Sequence, residues 1–244
     1  MIELQNMHKY LSGQHVLRGI DLKIESGEIF VIVGPSGTGK SVLLRHMIGL
    51  HTADEGKILV DGQDVGSLSD SKLEKMRSRF GVLFQSGALL NWMSVLDNVA
   101  LPLREKTRMK NVEIEKKAND ALKLIGLEND GMKMPSDISG GMRKRAGLAR
   151  AIVTEPEIVL YDEPTSGLDP IMSRKIDNLI VSLKNKLNVT SVVVTHDLAS
   201  AFGIADRIAM MNNGRIVMCG SVKEFKASGN DYVREFIAAQ KSVG

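Results

Sequence analysis

The segment Ile29–Val33 is an unbroken apolar run, and Gly34-Pro35-Ser36-Gly37-Thr38-Gly39-Lys40-Ser41 follows it without a gap. Five apolar residues without alternation predict a strand buried on both faces. Residues 41–48 are helix-compatible, and Gly49 stands where a helix C-terminal glycine would. Strand, glycine-rich loop, helix is the context in which G-x-x-x-x-G-K-[ST] is a phosphate-binding loop. Its glycines let successive backbone N–H groups converge on phosphate oxygens, and the helix N-terminus adds the positive end of its dipole. Lys40 supplies a mobile charge, and Ser41 a hydroxyl for Mg²⁺.

The surrounding pattern predicts an α/β chain. Residues 16–24 alternate, residues 58–60 precede an Asp61-Gly62 turn, and residues 80–84 form another short apolar run, so the N-terminal third reads as strands and turns. From Asn111, taken as an N-cap, Val112, Ala118, Ala121, Leu122 and Ile125 recur at helical spacing up to Gly126. A second helix is expected from Ser139 to about Val153. With no strand pattern between roughly Ser86 and Glu155, residues 86–155 read as a helical insertion. Residues 1–85 and 156–221 then form the nucleotide-binding core, and 222–244 a C-terminal helix and tail. Residues 158–161 and 191–195 are buried-strand candidates flanking a helix over 173–187. Residues 208–211 and 215–219 form a hairpin about Asn212-Asn213-Gly214, and 222–239 a final helix.

Composition removes several classes. Hydrophobic residues at 43% and charged residues at 25% exclude a disordered chain. No apolar stretch approaches the ~18 residues of a membrane-spanning helix. The first ten residues carry no signal-peptide core, and the one cysteine, Cys219, suits a reducing compartment; both predict a cytoplasmic location. A net charge of +3 gives no reason to expect nucleic acid as a partner.

A second strand candidate ends in adjacent carboxylates, Asp162-Glu163, at the carboxyl end where open α/β sheets place ligands. Asp162 is expected to support Mg²⁺ bound by Ser41, and Glu163, pointing differently, to orient or deprotonate an attacking water. Ser139-Gly140-Gly141-Met142 opens a helix with exposed N–H groups suited to a second phosphate grip, which a single chain can hardly bring to the same phosphate. A guanine-specific switch would carry Asn-Lys-x-Asp; the nearest match, Asn185-Lys186-Leu187-Asn188, lacks the aspartate.

With Ser166-Gly167-Leu168-Asp169 and Thr195-His196-Asp197 added, the chain resembles an ATP-binding-cassette (ABC) ATPase over residues 2 to 238. That resemblance implies a P-loop NTPase core with an N-terminal antiparallel β subdomain and an inserted α-helical subdomain. Under it, Gly34, Pro35, Ser36, Gly37, Thr38, Gly39, Lys40 and Ser41 are the Walker A loop. Gln85 is the Q-loop glutamine that links Mg²⁺ to the partner segment, Glu163 the catalytic base, Asp169 the end of the D-loop and His196 the switch histidine. Tyr10 stacks on adenine. Ser139, Gly140, Gly141 and Met142 form the signature that grips ATP bound to a second copy of the chain, with methionine where most relatives have glutamine.

The Ser-Gly-Gly-Met signature, Phe84-Gln85-Ser86-Gly87-Ala88-Leu89-Leu90 and Tyr232-Val233-Arg234-Glu235-Phe236 are similar to the ATPase of the MCE-associated, Mla-type phospholipid transporters. This implies an integral membrane permease, an MCE-domain lipid-binding protein, a small regulatory subunit, and a position on the cytoplasmic face of the inner membrane. ATPases for amino-acid import or lipoprotein release are the alternative. Leu89, Leu90 and Trp92 form an apolar segment expected to contact the permease. Arg143-Lys144-Arg145 is expected to be a solvated helix face, and the 13 methionines core filler.

Overall fold

All five residues of Ile29–Val33 are buried, and their side chains alternate between two separate cores. Ile29, Val31 and Val33 enter one core, Phe30 and Ile32 the other. That division follows from the period of two in a strand covered on both faces. The computed structural model describes residues 1–241, with side chains through Gln240; residues 242–244 of the expected tail lie outside the described residues.

The chain begins with β1 (Ile2–Leu11) and β2 (Gln14–Ile24), then β3 (Ile29–Val33), α1 (Lys40–Met47), β4 (Glu55–Val60), β5 (Gln63–Asp64), α2 (Asp70–Arg77) and β6 (Phe80–Leu83). An all-helical stretch follows: α3 (Val95–Lys106), α4 (Asn111–Leu124) and α5 (Gly140–Ile152). The chain then returns through β7 (Ile158–Asp162), α6 (Pro170–Leu187), β8 (Thr190–Thr195), α7 (Leu198–Ile204), β9 (Arg207–Asn212), β10 (Arg215–Ser221), α8 (Val222–Lys226) and α9 (Asp231–Lys241). β1, β2, β4 and β5 form an antiparallel sheet in the order β2-β1-β4-β5. The larger sheet runs β10-β9-β3-β8-β7-β6, parallel except for β10. One core lies between the two sheets around α1; the other joins the opposite face of the larger sheet to α3–α7 and the C-terminal helices.

Several expectations need correction. Asn111 is the first residue inside α4, and Lys110 is its N-cap, with the Glu113 carboxylate accepting from the Lys110 N–H at 3.1 Å. The C-terminal segment is two helices. Asn230 ends the break by accepting from the Tyr232 N–H at 3.0 Å, which starts α9. Met7, Met47, Met210 and Met211 are core residues, but Met132 is 83% exposed and so not filler.

α3 had no sequence assignment, because Pro102 lies within it. It starts at Ser94, whose hydroxyl accepts from the Asp97 N–H at 3.0 Å. The buried Asn98 accepts from the Leu90 N–H at 2.7 Å and donates to the Leu90 and Met93 carbonyls at 3.0 and 3.1 Å, which holds the preceding loop in shape.

Candidate functional site

The phosphate loop leaves the carboxyl end of β3 against the backbone of β9. A Cβ on Gly34 would lie 2.3 Å from the Met211 carbonyl oxygen, so only glycine lets the two backbones approach. Gly39 has φ +101° and turns the chain into α1. The first turn of α1 carries no acidic side chain, which leaves its dipole end free to attract an anion. Lys40 is 5% exposed and donates to the Gly34 and Pro35 carbonyls at 2.8 and 2.9 Å. Burial holds its pKa below the usual lysine value, against the opposing pull of Glu163.

β7 delivers two carboxylates in different directions. Asp162, its last residue, accepts from the Ser41 hydroxyl at 2.7 Å. Glu163 has φ +50°, an uncommon conformation for a residue with a side chain, and its N–H donates to the Val194 carbonyl at 2.9 Å. The turn swings Glu163 away from Asp162: Oε2 accepts from His196 Nδ1 at 2.8 Å, and Oε1 lies 3.6 Å from Lys40 Nζ. The Glu163 side chain is 11% exposed and that of His196 52%, so the carboxylate is sheltered and the ring faces outward.

Ser41 and Asp162 offer Mg²⁺ a hydroxyl and a carboxylate oxygen 2.7 Å apart at the mouth of the phosphate loop, and Mg²⁺ prefers such hard oxygen donors, completed by substrate phosphates. Among the described residues, no group of three or more His, Cys, Asp or Glu side chains is gathered as a metal cage. Gln85, expected beside the metal, is elsewhere engaged: its Nε2 donates to the Ser166 hydroxyl at 3.4 Å, and no hydrogen bond among the described residues joins it to Ser41 or Asp162.

Ser139 is the exposed N-cap of α5 and accepts from the Met142 N–H at 3.2 Å. A Cβ on Gly141 would lie 2.7 Å from the Met172 side chain, so the signature packs against the start of α6. Asp169 caps α6, accepting from the Ile171 and Met172 N–H groups at 2.9 and 3.0 Å. Tyr10 is 46% exposed and stacks on His15 with ring centroids 4.2 Å apart. Of the apolar segment, Leu89 packs against the core, Leu90 is half-buried, and Trp92 is 76% exposed.

Arg143-Lys144-Arg145 is not a solvated face. Arg143 donates to the Ile138 carbonyl at 2.7 Å and Arg145 to those of Ile125 and Gly126 at 3.1 and 3.0 Å. Lys144 is 6% exposed and donates to the carbonyls of Glu163, at 3.3 Å, and Ser166. Burial lowers its pKa. A buried lysine thus ties the signature helix to the backbone that carries Glu163. Arg150 likewise grips the Gly87 and Ala88 carbonyls at 3.0 and 2.7 Å, just after Gln85. Neither role was legible, since a basic residue on a helix gives no sequence sign of which distant carbonyls it meets.

The family model described as "ABC transporter" matches residues 17–166. The probable ribonucleotide transport ATP-binding protein mkl of Mycobacterium leprae is 42% identical over 240 residues, covering 98% of this chain and 69% of that protein. The intermembrane phospholipid transport system ATP-binding protein MlaF of Escherichia coli K12 is 39% identical over 237 residues, covering 97% of this chain and 88% of that one. The ATP-binding cassette MJ0796, solved as a dimer in a post-hydrolysis state with ADP and Pi, superposes with a TM-score of 0.84 at 35% identity, covering 91% of this chain and 99% of that one. The phosphate loop, the divergent carboxylates and these likenesses agree: the chain belongs to the ABC transporter family, as an ATP-binding subunit of the ABC ATPase fold that uses ATP with Mg²⁺.

Proposed function

We propose that the chain hydrolyses ATP as one half of a head-to-tail pair and drives a separate membrane permease for phospholipid. The observation that carries the hydrolytic reading is Glu163, held between Lys40 and His196 at the end of β7. Glu163 accepts the proton of a water attacking the γ-phosphate in line, and ADP leaves with its oxygen as inorganic phosphate is formed. Lys40 and His196 stabilise the charge that spreads over the transferred phosphoryl oxygens. Mg²⁺, when bound by Ser41 and Asp162, neutralises phosphate charge.

Gly34 to Ser41 holds the phosphates of ATP, and Tyr10 offers adenine a ring face. The exposed Ser139, with the N–H groups of Gly140 and Gly141, supplies a second grip at the N-terminus of α5. That grip faces outward, which suits ATP held by a second copy, with Asp169 at the same face. MJ0796, solved as a dimer, supports the pairing. Gln85 links Mg²⁺ to the partner-binding segment, and its contact with the Ser166 hydroxyl joins it to the turn that carries Glu163.

Among the described residues no helix is long and apolar enough to cross a membrane, so the bilayer component is assigned to a partner. Its docking surface is the groove between β6 and α3, lined by Leu50, Phe84, Ala88, Leu101 and Pro102, with Trp92 as a further apolar contact. Leu89 and Leu90, both half-buried, complete the apolar segment that meets the permease. The two curated relatives carry different cargo names; the phospholipid reading rests on the likeness to MlaF together with the Ser-Gly-Gly-Met signature and the segment from Phe84 to Leu90. It places the chain at the cytoplasmic face of the inner membrane, with an MCE-domain lipid-binding protein and a small regulatory subunit as further partners. Purification of the tagged chain from its own membranes tests this: copurification of a polytopic permease, an MCE-domain protein and phospholipid supports it, whereas a solute-binding protein in their place overturns the cargo.

A further inference from the structure

α9 lays an apolar stripe on the core. Val233 is fully buried, and Tyr232, Phe236 and Ile237 are packed against the core beside it. Val233, Ile237 and Gln240 follow the i, i+4, i+7 spacing of one helix face, so Gln240 extends that stripe where it meets the loop between β8 and α7. Thr195 and Glu163 take the N–H groups of Asp197 and His196 there, while the His196 carbonyl and the Leu198 N–H still need partners. A glutamine amide carries a donor and an acceptor side by side and can serve both.

It does so here. Gln240 Oε1 accepts from the Leu198 N–H at 2.8 Å, and its Nε2 donates to the His196 carbonyl. Asp197 takes the next two N–H groups of α7, those of Ala199 and Ser200, at 2.8 and 3.2 Å. Each of these first N–H groups of α7 therefore has a side-chain acceptor, and the share nearest His196 falls to a residue on α9. On the other side of the loop, the His196 ring is held by Glu163. His196 is fixed through its ring by the catalytic carboxylate and through its backbone by the C-terminal helix.

We propose that Gln240 is a positioning residue for ATP hydrolysis: by fixing the backbone at His196 and Leu198, it sets the imidazole against Glu163. The inference rests on the reading of His196 as a group that acts on the γ-phosphate. Because Gln240 acts through His196, its removal leaves ATP binding intact and slows the chemical step.

The test is ATP turnover by the full-length chain carrying Gln240→Ala, Gln240→Glu, His196→Ala or the Gln240→Ala/His196→Ala pair, with single-turnover measurement for the slow variants. Loss of two hydrogen bonds at an aligned group lowers kcat about tenfold for Gln240→Ala, with KM for ATP unchanged and the melting temperature lowered by only a few degrees. Gln240→Glu keeps the acceptor for Leu198 and loses the donor for His196, so its kcat also falls. In the His196→Ala background, Gln240→Ala has no further effect. Parent kcat in Gln240→Ala beside a slow His196→Ala overturns the inference alone, as does an equal loss in both backgrounds. Parent kcat in His196→Ala overturns the reading of His196 itself.

Discussion

Lys144 Nζ, on the helix that opens with the signature, lies 3.3 Å from the backbone carbonyl of Glu163. One buried amine therefore joins the element expected to grip ATP on the opposite chain to the residue expected to activate water on its own. The same amine bonds the Ser166 carbonyl, and the Ser166 hydroxyl receives Gln85. Signature helix, carboxylate turn and glutamine loop form one hydrogen-bonded unit.

Replacing that amine separates the parts. Lys144→Met fills a similar volume but leaves the Ser166 carbonyl without its donor and the Glu163 carbonyl with the Ser166 N–H alone, a change worth about 1–3 kcal/mol per unsatisfied group, offset by the removal of a buried charge. The expected net loss in a urea melt is about 1–2 kcal/mol, accompanied by a fall in kcat larger than any change in ATP affinity. A variant with parent kcat would show that the link has no part in turnover.

Tyr10 tests the adenine platform. Its ring is stacked on His15, which leaves one face for a base. Base stacking on an aromatic ring is worth about 1–3 kcal/mol, so Tyr10→Ala is expected to raise KM for ATP by roughly 5- to 150-fold with kcat little changed. Competition with adenine-free triphosphate separates this from damage to the phosphate loop: its affinity stays constant in Tyr10→Ala.

Much of the site was legible because its chemistry is local. The run from Ile29 to Ser41 specifies strand, loop and helix from neighbours in sequence, and Asp162-Glu163 follows a strand whose period of two is readable. The left-handed turn at Glu163, which sends its carboxylate to His196, follows no sequence rule for glutamate; it arises where the Glu163 N–H is captured by β8. Lys144, Arg150 and Gln240 were not legible for a different reason. Each bonds backbone carbonyls or N–H groups far away in sequence, and any residue can supply those. Helix α3 was hidden by Pro102, and the bonds from Asn98 to the preceding loop, like those of Lys144, run to backbone groups that any residue can supply.

The N-terminal edge carries a pH signature. Arg79 bonds Asp61 and Glu157, and the Met1 ammonium also bonds Asp61 at 2.6 Å. The Met1 ammonium and then Arg79 hold Asp61 below its ordinary 3.8; Arg79 holds Glu157 below its ordinary 4.5. Carboxylates with depressed folded-state values contribute stability that is present above 4.5 and lost as pH falls through the folded values. Arg79→Met is therefore expected to destabilise at neutral pH, with the difference from the parent shrinking as urea melts are taken below pH 3.8. A difference that is constant with pH would contradict the assignment.

Glu163 is expected to activate the water that attacks ATP while the two copies are closed. Glu163→Gln keeps the shape and the hydrogen-bonding capacity toward His196 but removes the base. The direct measurement is ATP turnover of purified Glu163→Gln together with its size in the presence of ATP and Mg²⁺. The expected result is retained ATP binding, turnover lowered by about 10²-fold or more, and accumulation of an ATP-bound dimer; hydrolysis at the parent rate would contradict it.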